Sequence, residues 1–465
     1  MSVVHDPLEV LVAVAEEPAW LVGGAVRDRA LRRATDDYDV AVQGDARSLA
    51  RALARCTDGH AFALSEAFGA WRVVARDHTW QLDVLPLAGE SIEADLAARD
   101  FTVNALAEPL EGGEVIDPFG GLEDLQARRL RMVSPSAFEQ DPLRVLRLAR
   151  LSCELTFVVE PETAAVASKL AGGLTRVAAE RVFSELKRIV TAERALAGLD
   201  QMDALGVTDV VLPELSALRG IEQSRYHHLD VYDHTRAVLA EAIALERDAA
   251  PALGAQAVVA DGLLSEPLAD DLTRWGALRF GALFHDIAKP LTRGVTAEGR
   301  VTFMGHDEAG ATLAADMLSR LRASERLCQH VAALTRHHLR LGFLVHNIPL
   351  DRRSIYRYLR ATEPVQVDVT VLSVADRLAT RGSRSEEAIA NHLELAQELL
   401  GEAFAWLENP PRPPLRGDEI ARAFGLRPSP EIGRILQELE EASFAGEIRT
   451  REQALDRARE LIGSN

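Results

Sequence analysis

Asp37 and Asp39, one residue apart, come shortly after Gly23-Gly24 and Arg27, and this order of residue types points to a phosphate cradle followed by a metal site. Paired glycines let the backbone turn tightly and bring its N–H groups against an anion, and the Arg27 guanidinium adds a fixed cationic fork. Asp37 and Asp39 lie in a run whose Val40 and Val42 favour a strand. The period of two then puts both carboxylates on one face, where they can hold hard cations. A Gly-Gly pair alone is a weak signal, and an Asp-x-Asp alone is more often a solvated turn or strand end. Together and in this order they say much more.

Three further groups extend the pattern. Asp83, in Gln81-Leu82-Asp83-Val84, is a lone acid within an apolar strand, where an unpaired carboxylate is costly; it reads as a third carboxylate beside the Asp-x-Asp strand, or as a solvent acid on an edge strand. Arg99-Asp100 sets a donor-only fork beside an acceptor-only group, which suits a ligand carrying both phosphate and hydroxyls. Asp141, Arg144, Arg147 and Arg150 lie in the run from Phe138 to Arg150, which starts a helix with Pro142 near its first turn and Leu143, Leu146 and Ala149 as its buried stripe.

These motifs closely resemble the signature of the class II tRNA nucleotidyltransferases, the family of CCA-adding enzymes and bacterial poly(A) polymerases. The resemblance implies template-independent addition of C and A to the tRNA 3′ end from CTP and ATP. Asp37 and Asp39, aided by Asp83, would bind Mg²⁺ for in-line attack of the RNA 3′-hydroxyl on the α-phosphate. Gly23, Gly24, Arg27, Arg99 and Asp100 would hold triphosphate and sugar. Asp141 and Arg144, with Arg147 and Arg150 nearby, would select the base: an acceptor-only and a donor-only group match the amino group and ring nitrogen of C or A, whereas U and G present the opposite pattern. Three places leave the family pattern. Ala98 stands where a second arginine usually precedes Asp100, and Gln140 stands where Glu usually precedes Asp141. The connection over residues 86–92 is also short, and within the family loss of a flexible loop there is associated with enzymes that add only CC. A CC-only enzyme, a poly(A) polymerase, and a phosphohydrolase whose head only recruits RNA are the alternative readings.

A second constellation runs through the middle of the chain: His227-His228, His234, His285-Asp286 followed by Lys289, His306, His337-His338 and Asp376. Imidazoles and carboxylates drawn from several helices are a usual way to bind a divalent transition metal. The set resembles an HD-type phosphohydrolase domain. That resemblance implies His234, His285, Asp286 and Asp376 as metal ligands, with His306 and either His338 or His337 at the positions of members that hold a second metal. Phosphatase or cyclic-phosphodiesterase activity would follow.

The elements that must position these groups give an α+β protein. A head over residues 1–135 carries a small mixed or antiparallel β-sheet. An all-α neck over 136–220 bears the base-selecting motif and RNA contacts, a helical HD-type domain spans 221–400, and a helical tail over 405–465, set off by the Pro-rich residues 409–414, resembles the tRNA-holding end of bacterial members. At 465 residues and 47% hydrophobic content the chain can bury several cores. Its net charge of −19 argues against general nucleic-acid affinity, but basic residues concentrate between Arg128 and Arg188. Cys56, Cys153 and Cys328 have no paired spacing, and no apolar run spans a bilayer, so a cytoplasmic protein without a membrane partner is expected.

Overall fold

The computed structural model describes residues 6–65, 69–223, 229–380 and 385–463; His227 and His228 lie outside them. The chain divides into two compact units, Met1–Val211 and Leu212–Asn465.

In the first unit, α1 (Pro7–Val14) leads into β1 (Ala19–Val22), α2 (Gly24–Ala30), β2 (Asp37–Val42), α3 (Ala46–Thr57), β3 (His60–Ser65), β4 (Ala70–Val74), β5 (Gln81–Pro86), α4 (Ile92–Ala97) and β6 (Ala107–Pro109). The strands form one sheet in the order β3-β4-β5-β2-β1-β6. It is mixed, because β2 and β5 run parallel while their other neighbours are antiparallel. The β2–β5 register sets Asp39 directly opposite Asp83, so both side chains leave the same face. Val40, Ala41 and Val42 are buried, which fixes that register: a slip of one residue would turn the carboxylates into the core. Helix α3 is strongly amphipathic, with Leu49, Ala50, Leu53 and Ala54 buried and Asp45 capping its start by accepting from the Arg47 N–H.

Beyond the sheet, α5 (Leu143–Leu155) and α6 (Ala179–Thr191) pack side by side. Leu143, Leu146 and Ala149 are buried as their spacing predicts; Arg150 is buried too, which apolar periodicity does not reveal.

The second unit is mostly helical, with two small two-stranded sheets at residues 267–273 and 294–302. It includes α7 (Val231–Arg247), α8 (Arg274–Phe284), α9 (His306–Arg320), α10 (Glu325–His337), α11 (Gln366–Ala379) and α12 (Ser385–Glu408). A small tail core of Leu415, Ile420, Ile435, Leu439 and Ala442 closes the chain. All three cysteines are free, and no helix among the described residues is long and apolar enough to cross a membrane.

Candidate active site and metal centre

A cavity of about 620 Å³ in the first unit gathers most of the residues singled out in the sequence: Gly23, Gly24, Arg27, Asp37, Asp39, Arg99, Asp100, Asp141, Arg144, Arg147 and Arg150 all line it. Gly23 follows β1 with φ +70° and caps the start of α2. A Cβ there would lie 2.6 Å from Arg99 Nη1, so glycine is required both for the backbone angle and for the approach of Arg99. Arg99 is held in turn by Asp95, which also accepts the Ala88 N–H of the short connection after β5. Arg27 is oriented by both oxygens of Asp28 and by Asn104 Oδ1 at 2.6 Å. Asp100 accepts from the Phe101 N–H and from Asn104, and its second oxygen lies 3.1 Å from Arg147. Burial raises the Asp100 carboxyl, but Arg147 and these donors outweigh it and hold the group below its ordinary range.

Asp39 behaves oppositely. Burial, with Asp37 and Asp83 adding repulsion against the pull of Arg99 and Arg147, pushes its carboxyl up to about 6. A strongly desolvated acid beside two others is what a bound cation would relieve, so the residues fit a divalent metal. Asp83 is placed differently from its two partners. Both of its oxygens are taken by Arg72 at 2.7 and 2.8 Å, and it does not line the cavity.

On the helical wall, Arg144 commits three donors to the backbone carbonyls of Ala98, Arg99 and Ala137. A guanidinium has five, so two remain for a ligand. The carbonyls do the orienting that exposed Gln140 cannot do by charge. Asp141 is held by Arg181 at 2.7 Å, and Arg150 is spent on Glu185 and Glu154. Arg181 and Glu185 both lie on α6. Their signal was present: they stand four apart on α6, with charges opposite to Asp141 and Arg150 on the facing element. Six arginines and six aspartates line the cavity, so the site is locally neutral on an acidic chain, and a divalent cation would make it positive.

The second unit assembles the histidines. His234, His285 and Asp376 bring ligand atoms within 4.8 Å of one another, and Asp286, His306 and His338 do the same. Asp286 joins the two sets: its Oδ2 lies 3.2 Å from His285 Nε2 and 3.8 Å from His234 Nε2, while its Oδ1 lies 3.3 Å from His306 Nε2 and 3.8 Å from His338 Nε2. His285, His306 and His338 each direct Nδ1 at the carbonyl three residues earlier, on Ala282, Phe303 and Thr335. That fixes the tautomer and leaves three buried Nε2 atoms without hydrogen-bond partners, aimed at the centre. Two divalent ions sharing Asp286 fit this donor set. His337 instead accepts from Arg340, so of the two neighbours it is His338 that faces the cluster. Lys289 reaches Asp286 Oδ2 at 2.6 Å.

Over 444 residues, covering 94% of both chains, the protein is 37% identical to the A-adding tRNA nucleotidyltransferase of Deinococcus radiodurans. The chain belongs to the tRNA nucleotidyltransferase family. It is also 35% identical to the CC-adding tRNA nucleotidyltransferase of Thermus thermophilus, across 94% of this chain and 92% of that one. Its nucleotidyltransferase head, residues 19–87 and 76–131, matches the poly A polymerase head domain; residues 156–218 match the probable RNA and SrmB-binding site of polymerase A, and 231–381 the HD domain. Among solved structures, a Thermotoga maritima CCA-adding enzyme complexed with tRNA has the same fold, with a TM-score of 0.58 at 18% identity over 98% of this chain and 93% of that one. This nucleotidyltransferase thus has its cavity in the first unit and carries an HD domain with the donors for a metal centre.

Proposed function

We propose that this nucleotidyltransferase extends the tRNA 3′ end without a template, taking C from CTP and A from ATP, in the cytoplasm. The observation that supports this best is one cavity shared by the Asp37–Asp39 pair, the phosphate-directed Gly23, Arg27 and Arg99, and the Asp141–Arg144 wall. Mg²⁺ held by Asp37 and Asp39 would neutralise charge on the attacking and leaving oxygens. The chain's own residues do the rest. Arg27 and Arg99, preset by Asp28, Asn104 and Asp95, take the phosphates without having to be ordered first. Asp141 accepts from the exocyclic amino group of C or A, and the two uncommitted donors of Arg144 meet the ring nitrogen beside it. Each good pair would favour C and A over U and G by about 1–3 kcal/mol. Asp83, neutralised by Arg72, supports the fold of the carboxylate row rather than adding a third ligand.

A second reading, single-nucleotide specificity, is favoured by the tight connection after β5. Residue 89 is packed so closely that a Cβ would lie 2.8 Å from Ala94 Cβ, and the Asp95 carboxylate closes the segment. The decisive assay incubates the protein with tRNA lacking its 3′ end and each nucleoside triphosphate, and reads product length. Extension by CCA is expected. A stop after CC, or addition of A only to tRNA ending in CC, selects the narrower reading. Long A tracts on unrelated RNA would make it a poly(A) polymerase, and no incorporation from either CTP or ATP would refute the proposal.

Gly23→Ala provides a sharper check on the cradle. The backbone angle should cost about 1–3 kcal/mol of stability. Displacing Arg99 should lower kcat/KM for CTP on the order of a hundredfold, read by steady-state kinetics alongside thermal melting.

The HD domain we read as a two-metal phosphohydrolase, whose ions would activate water against a phosphoester. Lys289, 10% exposed at its side chain and poised over Asp286, would meet the phosphate.

A further inference from the structure

Away from the metal centre, the same helical unit buries a second polar cluster. Asp368, fully buried on α11, binds the Arg274 guanidinium through both oxygens, and His330 Nε2 stands 3.1 Å from its Oδ1. Arg274 opens α8 and His330 lies in the middle of α10. These are three of the helices that carry the metal ligands. His285 and Asp286 follow the end of α8, His338 follows α10, and Asp376 lies near the end of α11.

The spacing is regular. His330 to His338 and Asp368 to Asp376 are each eight residues, or about 12 Å along a helix, and Arg274 to His285 is eleven, about 16 Å. Midway between the two polar layers the helices meet with no slack. A Cβ on Gly281 of α8 would lie 2.8 Å from Leu334 of α10 and 3.6 Å from Leu372 of α11, and both leucines are completely buried. Leu334 and Leu372 are themselves the midpoints between the polar residue and the metal ligand on their helices. A close-packed layer of this kind transmits displacement rather than absorbing it.

We infer that the Arg274–Asp368–His330 cluster is a positioning clamp, which fixes the axial register of α8, α10 and α11 and so sets the separation of the metal ligands at their far ends. Burying an ion pair contributes little net stability, since its desolvation offsets most of the attraction. What it supplies is direction: a bidentate Arg–carboxylate pair admits one register, where apolar contacts admit several. The clamp spans helices contributing to both metal sets, so loosening it should weaken both.

The inference rests on the two-metal reading of the HD domain, and the test separates them. Metal-free full-length protein is titrated with Co²⁺, following its visible absorption, for the wild type, Asp368→Asn and Gly281→Ala. The wild type should bind two ions at the HD domain, identified by the absorption of imidazole-ligated Co²⁺ and counted apart from any ion held by Asp37 and Asp39. Asp368→Asn keeps the side-chain size but releases Arg274, and Gly281→Ala forces Leu334 aside; each should lower Co²⁺ affinity on the order of tenfold and alter the absorption bands that report ligand geometry. CTP incorporation should be unchanged in both, and wild-type helix content by circular dichroism with a cooperative thermal transition shows that the helical unit has folded. If the wild type shows no imidazole-ligated Co²⁺, the metal reading fails. If it binds two ions and both variants match it in affinity and spectrum, the clamp alone is refuted.

Discussion

Asp39→Asn should abolish nucleotide addition and at the same time make the metal-free protein harder to melt. The carboxyl of Asp39 is pushed up to about 6, first by burial and then by Asp37 and Asp83. The unfolded chain ionises it near 3.9. The folded state therefore binds the proton more tightly, and at pH 7 and above folding carries the full cost of holding an unwanted negative charge. Two pK units correspond to about 3 kcal/mol. That cost falls as pH drops through 6 and vanishes below about 4, where both states are protonated. Asparagine removes it at every pH. Melting without metal should rise by several degrees at pH 8, and the gain should shrink towards pH 4. Mg²⁺ reverses the comparison, since it stabilises only the chain that retains its carboxylates. Incorporation of CTP should fall on the order of a thousandfold or more. A variant that melts lower than wild type without metal, or keeps addition within tenfold, would remove Asp39 from the metal site.

The sheet and the carboxylate pair were legible because their determinants are local: β-branched residues at period two, and glycines where the chain must turn. What the sequence could not convey is which charges neutralise one another across elements. Asp83 reads identically whether it faces a metal or an arginine, and Arg72, eleven residues earlier, becomes its partner only through the β4–β5 register. The same holds for Asp141 with Arg181, forty residues apart, and for Arg150, whose guanidinium is spent on Glu185 and Glu154 rather than left facing a ligand. The histidines were easier to pick out, because imidazole is rare enough for an ordered series to stand out. Even so, the choice of His338 over His337 needed the turn at the end of α10, which sends one ring inward and leaves the other to Arg340.

Asp286→Asn should strip the HD domain of both ions while leaving nucleotide addition intact. Each oxygen of Asp286 faces a different pair of imidazoles, so one amide substitution removes a negative ligand from both positions at once. His306→Ala, by contrast, should cost only one ion. The protons dictate how this depends on pH. Burial opposes charge on His285, yet the carboxylate of Asp286 outweighs it and raises the ring above its ordinary value, whereas burial beside His285 presses His338 down to about 4. In the metal-free protein the His285–Asp286 pair therefore stabilises the fold at low pH, and that contribution is lost as pH rises through the raised value. Metal binding needs His285 neutral and so competes with the same proton. The difference in the HD domain's own melting transition between Co²⁺-loaded and metal-free wild type should thus widen from pH 6 to pH 8, while Asp286→Asn shows no such difference in that transition at either. Hydrolysis of a simple phosphodiester should fall on the order of a thousandfold in the variant. CTP incorporation should hold at the wild-type rate, because every residue lining the nucleotide cavity lies before Leu212, in the other unit. Loss of addition together with hydrolysis would mean that the two chemistries share a site.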